Sequence, residues 1–193
     1  MTNRKVYKGV KTISFYYMWS GFMAGLEEIT TKTEPTHFVN ETLQAKVGNQ
    51  PRDNVSIKVQ WNGMDILRIE APQRRIETFG VAICYAIVGI NSEGDIILGH
   101  YVPSVSQETA LQLAKHLING QNSISGKRQL NYSNFEFNFI PGPVHGFCDV
   151  SYDRGEGLVV TTRKLEGFYW KPLKADEKYL EVINNLSKNY PKN

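Results

Sequence analysis

Val55-Ser56-Ile57-Lys58-Val59-Gln60-Trp61 alternates apolar with polar residues, the period of a strand with one wet face. Asn62-Gly63 follows as a two-residue turn that favours a hairpin, so residues 64–70 are expected to return as the partner strand. The most apolar stretch is residues 79–90. Its β-branched content (Val81, Ile83, Ile87, Val88, Ile90) predicts a single strand buried on both faces. The turn Asn91-Ser92-Glu93-Gly94 sends residues 95–102 back beside that strand, and Pro103 ends the return. Ser106 is an N-cap for a helix that gathers Ala110, Leu111, Ala114, Leu117 and Ile118 on one face and closes at Asn119-Gly120. Phe135-Glu136-Phe137-Asn138-Phe139 alternates again, and residues 146–152, 158–162 and 167–170 read as short strands between glycines and prolines. A last helix over residues 175–189 carries the stripe Tyr179, Ile183, Leu186 and Tyr190. Many short strands with two helices predict an α+β domain.

Ahead of these elements, residues 30–54 are poor in apolar residues, and Pro35, Gly48 and Pro51 mark them as loop. The N-terminus imitates an export signal: Arg4, Lys5, Lys8 and Lys11 precede the apolar residues 12–26. That stretch is rich in aromatics, is broken by Ser20-Gly21, lacks a clean small-x-small cleavage site and is too short to span a bilayer. It is expected to be a core strand or helix, with no stable membrane insertion.

A length of 193 residues suits one domain whose core needs neither disulfides nor metal as staples. Lys and Arg number 22 against 19 Asp and Glu, an excess too small for a nucleic-acid binder. Lys164, Lys171, Lys174 and Lys178 do interleave with Tyr169 and Trp170, but Glu166, Asp176, Glu177 and Glu181 intervene, so a solvated mixed face is expected. Two cysteines cannot make a disulfide framework.

Cys84 is the residue that bears on chemistry. An unpaired cysteine in an apolar strand ordinarily behaves as a small buried hydrophobe. Its company changes the picture. His100 stands 16 residues downstream, across a turn that sets its strand beside that of Cys84. An imidazole beside a thiol can remove its proton and later protonate a leaving amine. Such a pair predicts a thiolate at neutral pH. Thr78, six residues before Cys84, can orient the imidazole through its hydroxyl. His145-Gly146-Phe147-Cys148 also brings a thiol near an imidazole but lacks the further ligands of a zinc site, so no metal site is expected. His37 and His116 are expected to be solvated, and Gly142, Gly146, Gly155 and Gly157 mark turns rather than a phosphate loop.

Thr78-Phe79-Gly80-Val81-Ala82-Ile83-Cys84, followed by Gly99-His100-Tyr101-Val102-Pro103, resembles the signature of the CheD-like protein glutamine deamidases. These include the chemoreceptor deamidase CheD, cytotoxic necrotizing factor and Burkholderia lethal factor. The likeness covers about residues 76–140, including the helix after the proline. It implies a sandwich of antiparallel sheets with outer helices, filling residues 1–193 as one domain with an N-terminal elaboration. It also implies a Cys84–His100–Thr78 catalytic set that hydrolyses a glutamine side-chain amide of a target protein through a thioester. No cofactor or metal is required for that. Where family members carry a small Gly/Ser pair before the cysteine, this chain has Ala82-Ile83. About 77 residues precede Thr78, which places the motif as in the lethal-factor type. The expectation is therefore a monomeric bacterial toxin or effector, cytoplasmic in its producer or active in a host cytosol after export. A non-catalytic α+β binding module on the same scaffold, and a Cys-His hydrolase of another acyl bond, are the alternatives.

Overall fold

The computed structural model describes residues 43–143, 146–166, 169–172, 181, 183–185 and 188. Among the described residues, nine strands form two sheets. One holds β1 (Ser56–Lys58), β3 (Arg75–Val81), β7 (Phe147–Asp153), β8 (Gly157–Glu166) and β9 (Tyr169–Pro172), in the order β1-β3-β7-β8-β9. The other holds β2 (Gly63–Leu67), β4 (Tyr85–Asn91), β5 (Ile96–Tyr101) and β6 (Phe135–Pro141), in the order β2-β5-β4-β6. All neighbours are antiparallel except β1 and β3. The architecture is thus α+β with two mostly antiparallel sheets. The N-terminal segment 12–26, His37 and most of the expected last helix lie outside the described residues, although Ile183 is helical and packs into the core.

Two apolar layers hold the sandwich. Ile57, Ile76, Val81, Val150 and Tyr152 of the five-stranded sheet meet Leu67, Ala86, Val88, Ile96, Leu98 and Ile140 of the four-stranded sheet. On the far face of the smaller sheet, Met64, Ile66, Ile87, Ile97 and Phe139 pack against α1 (Gln107–Asn122). The four-stranded sheet is therefore covered on both sides, which is why β4 reads as an unbroken apolar run. Helix α1 begins as expected, with the Ser106 hydroxyl accepting from the Thr109 N–H at 3.0 Å. It buries Ala110, Leu113, Ala114, Leu117 and Ile118, and runs past Asn119-Gly120 to a cap at Ser123.

Two pairings differ from the sequence reading. The turn at Gln60–Gly63 is present, with Asn62 at φ 56° and the Gly63 N–H bonded to the Gln60 carbonyl at 2.9 Å. It makes no hairpin: β1 pairs in parallel with β3, while β2 pairs with β5 in the other sheet. Residues 79–90 are not one strand either. β3 ends at Val81, residues 82–84 bend, and β4 starts at Tyr85 in the second sheet. Alternation and apolar content fix which face a residue presents, but not which sheet its strand joins. Both connections therefore carry the chain between layers, and they do so at the same end of the sandwich.

The β4–β5 hairpin that sets Cys84 near His100 is anchored at its turn by Asp95. This buried carboxylate accepts from Arg128 at 2.7 and 2.6 Å, from the Ile69 N–H at 2.9 Å and from the Asn91 amide at 2.7 Å. Asp95→Ala would leave those donors without their acceptor. Urea unfolding is expected to show a loss of about 3 kcal/mol, the scale for breaking a buried ion pair from one side.

Candidate active site

The register of the four-stranded sheet sets the positions. His100 pairs with Ala86, and Ala86, Val88, Leu98 and Ile96 all face the inter-sheet layer, so His100 faces it too. Cys84 lies two residues before Ala86 and belongs to the same layer. The two side chains therefore border the same layer, although Cys84 lies in the bend before β4 and is not paired with β5. Thr78 enters from the opposite sheet. After it, β3 bulges: Thr78 pairs with Val150 and Val81 with Cys148, so Phe79 and Gly80 oppose Asp149 alone. Gly80 takes φ 72°, a left-handed conformation that a side chain would strain, and its N–H donates to the Asp149 carboxylate at 3.0 Å.

Across the layer, Thr78 Oγ1 lies 2.9 Å from His100 Nδ1 and 2.8 Å from the Val59 carbonyl. A carbonyl can only accept, so the threonine proton points at Val59. The hydroxyl oxygen must then accept from Nδ1–H, which leaves Nε2 as the unprotonated nitrogen. Nε2 is buried and has no hydrogen-bond partner among the described residues. A buried acceptor left open costs on the order of 1–3 kcal/mol. The Val59–Thr78–His100 chain fixes the tautomer a general base needs.

The expected hydrogen bond between thiol and imidazole is not formed. The physical reason is the bend at residues 82–84, which turns the chain away from β5 before Cys84 can pair with it. The expected resting thiolate is also reversed. Burial pushes the Cys84 thiol above its ordinary value, and burial lowers His100 to about 4. Thiol and imidazole are both neutral at rest.

Gly142, at the start of the β6–β7 connection, holds the bend. Its N–H donates to the Cys84 carbonyl at 3.1 Å, and a Cβ there would meet the Ala82 carbonyl oxygen at 1.7 Å. The small residue that this close approach requires is therefore Gly142, supplied by another strand end. Ile83 points outward with 51% exposure, whereas the adjoining Cys84 keeps 7%. Trp61 (55%) and Phe79 (54%) are exposed as well. His145 lies outside the described residues. Cys148 is buried opposite Val81, and neither cysteine is in a disulfide. His116 is exposed on α1. Among the described residues, no three His, Cys, Asp or Glu side chains are grouped so as to hold a metal, and no helix is long and apolar enough to cross a membrane. A separate groove of about 590 Å³ has Arg52 and Arg68 in its wall, each already paired, with Asp65 at 2.6 Å and with Glu70 at 2.7 Å.

Sequence reasoning missed the Val59 carbonyl, which accepts the Thr78 proton from the connection after β1; a backbone acceptor leaves no mark in the sequence.

No protein-family model matches the chain, and no curated protein matches it.

Two tests follow from this geometry. An unfolded histidine protonates near pH 6.5 and the folded His100 only near 4, so the unfolded chain binds more protons between those values. Stability is expected to be level above that window and to fall as pH drops from 6.5 towards 4, by about 3 kcal/mol in total. Asp53 and Asp153, held down to about 2, lose their contributions only below the ordinary carboxylate value of 3.8. Unfolding of wild type minus that of His100→Gln, measured across this range, isolates the imidazole. Gly142→Ala is expected to displace the 82–84 bend and to slow Cys84 alkylation or turnover at least tenfold, as a misplacement near 1 Å does. An unchanged rate would show that the bend is not set by this contact.

Proposed function

We propose that the protein is a cysteine-dependent glutamine deamidase of CheD-like fold, acting on a protein substrate as a toxin or effector. The observation that carries this reading is the His100 ring: one nitrogen fixed by Thr78, the other buried, unprotonated and unpartnered among the described residues, bordering the same inter-sheet layer as a thiol. In the reaction, His100 Nε2 takes the proton of Cys84 as the sulfur attacks the glutamine carboxamide carbon. The sulfur–carbon bond forms and the carbonyl π pair moves to oxygen. Collapse of that intermediate passes the proton from Nε2 to the departing nitrogen, which leaves as ammonia and gives a thioester. Water, deprotonated by the same imidazole, attacks the thioester; glutamate forms and the thiol is restored. Closing the gap between sulfur and Nε2 is the movement that substrate binding must supply, as is common for catalytic contacts in a free enzyme. The exposed Ile83 adjoins a barely open sulfur, which suits a macromolecular substrate.

One observation favours the non-catalytic reading: the sulfur packs within the inter-sheet layer. The readings separate on ammonia. Incubation with unfolded casein is expected to release ammonia while the casein backbone stays intact. Cys84→Ser should abolish the release, and Thr78→Val should lower it roughly 100-fold by freeing the imidazole tautomer. Because His100 is already neutral above pH 4, the acid limb of the rate should lie near 4 rather than 6.5. Equal ammonia from wild type and Cys84→Ser would leave the scaffold reading standing, and casein cleavage would point to another acyl bond.

A further inference from the structure

Thr78 does not end the hydrogen-bond chain that begins at His100. Its proton goes to the Val59 carbonyl at 2.8 Å, and that carbonyl shares one planar peptide group with the Gln60 N–H. The Gln60 N–H points the other way and donates to Gln50 Oε1 at 2.8 Å. The amide of Gln50 continues in the same sense, with Nε2 donating to the Lys46 carbonyl. Donors are therefore handed on in one direction: His100 Nδ1–H to Thr78, Thr78 to the Val59–Gln60 peptide, the peptide to Gln50, and Gln50 to Lys46. Every donor in the chain meets an acceptor, and each bond polarises the next. Gln50 is only 6% exposed, although the sequence marks residues 30–54 as loop, and its own N–H is tied to the buried Asp65 carboxylate at 3.4 Å.

The peptide plane is the part of this chain that could reverse it. Its neighbours are anchored: the Val59 N–H donates to the Glu77 carbonyl at 2.8 Å, and the Gln60 carbonyl accepts from the Gly63 N–H at 2.9 Å. Between those anchors the plane can lie either way up. Turned over, it would present the Gln60 N–H to Thr78 in place of the Val59 carbonyl. The hydroxyl would then accept from that N–H and donate its own proton to Nδ1. The ring proton would sit on Nε2, and no lone pair would remain there to take the thiol proton. Gln50 gives the Gln60 N–H an acceptor on the side of the plane away from Thr78, and so favours one orientation. We propose that Gln50 is a positioning residue for this site, which fixes the His100 tautomer by holding the Val59–Gln60 peptide plane. Its part in turnover rests on His100 being the base of the reaction proposed above; its part in the tautomer does not. Glutamine suits the place because one side chain must accept from an N–H and donate to a carbonyl.

Long-range proton–nitrogen NMR spectra of the full chain, labelled at histidine, read which ring nitrogen carries the proton; His100→Gln identifies the signal. Wild type is expected to carry it on Nδ1 at neutral pH. Gln50→Met keeps the length of the side chain and removes the amide, and is expected to move part of the population to the Nε2–H form. On casein its kcat for ammonia release should fall roughly tenfold with KM unchanged, the scale of one neutral hydrogen bond. Gln50→Glu keeps an acceptor for the Gln60 N–H and is expected to keep the wild-type tautomer. Exchange of the Gln60 amide should be slow in wild type, although the residue is exposed, and fast in Gln50→Met. A wild-type proton on Nε2, fast Gln60 exchange in wild type, or a folded Gln50→Met with an unmoved tautomer would each overturn the assignment. If Gln50→Met does not fold, the two wild-type measurements still decide, and so does Gln50→Glu, where a displaced tautomer counts against the latch. A wild type that releases no ammonia removes the deamidase reading alone, because a tautomer shift in Gln50→Met would still establish what Gln50 holds.

Discussion

A hydrogen bond spans the apolar interior of the sandwich. Thr78 belongs to the five-stranded sheet and His100 to the four-stranded one, and their 2.9 Å contact crosses a largely apolar layer. Two polar groups in such a layer would each be costly alone. Together with the Val59 carbonyl they satisfy one another in a fixed order, in which the carbonyl accepts from the hydroxyl and the hydroxyl from Nδ1–H. Only Nε2 is left over. The arrangement ties the electronic state of a ring to the stacking of two sheets, so it exists only while both layers are in register.

That dependence explains why the site lies at one end of the molecule. Residues 59–62 and 82–84 each carry the chain from one sheet to the other there, and the β6–β7 connection begins beside them at Gly142. A regular strand would have carried Cys84 on in pairing with β5. The break after Val81 and the bend that follows keep Cys84 out of that pairing, and the Gly142 N–H holds its carbonyl instead. The bulge at Gly80 ends the regular pairing of β3 immediately after Thr78, so the threonine occupies the last ordinary position before the chain leaves that sheet. Irregular backbone and candidate chemistry coincide because donors and carbonyls become available to side chains only where a ladder ends.

What the sequence made legible was local. Ser106 capped its helix, and the Asn91–Gly94 turn folded β4 onto β5, because both depend on residues within a few positions of each other. The nearness of Thr78 to His100 was also readable, since the resemblance supplied a pairing that periodicity could not. Sheet membership was hidden. Residues 79–90 look uniform because the end of β3 is buried against the inter-sheet layer while β4 is buried on both faces, and hydrophobicity records burial without direction. The charge state was misread because burial, which decides it here, is a property of the assembled layers.

Neutrality at rest gives the proposed reaction its order of events. In water, a thiol beside an imidazole can exchange its proton before any substrate arrives, and the charged pair waits. Here burial raises the thiol and lowers the imidazole, so each group resists its charged form and the proton stays on sulfur. A neutral thiol is a poor target for oxidants and stray electrophiles. Charge separation must then be driven by bond formation to the carboxamide, at the moment when the sulfur's negative charge has somewhere to go. The groups that ease this step at the imidazole, the Thr78 oxygen and the Val59 carbonyl that steadies it, stand in a hydrogen-bonded chain before it begins. Because they are set by backbone turns, they need little reorganisation when the charges appear, and that preorganisation is what makes a dry site compatible with an ionic reaction.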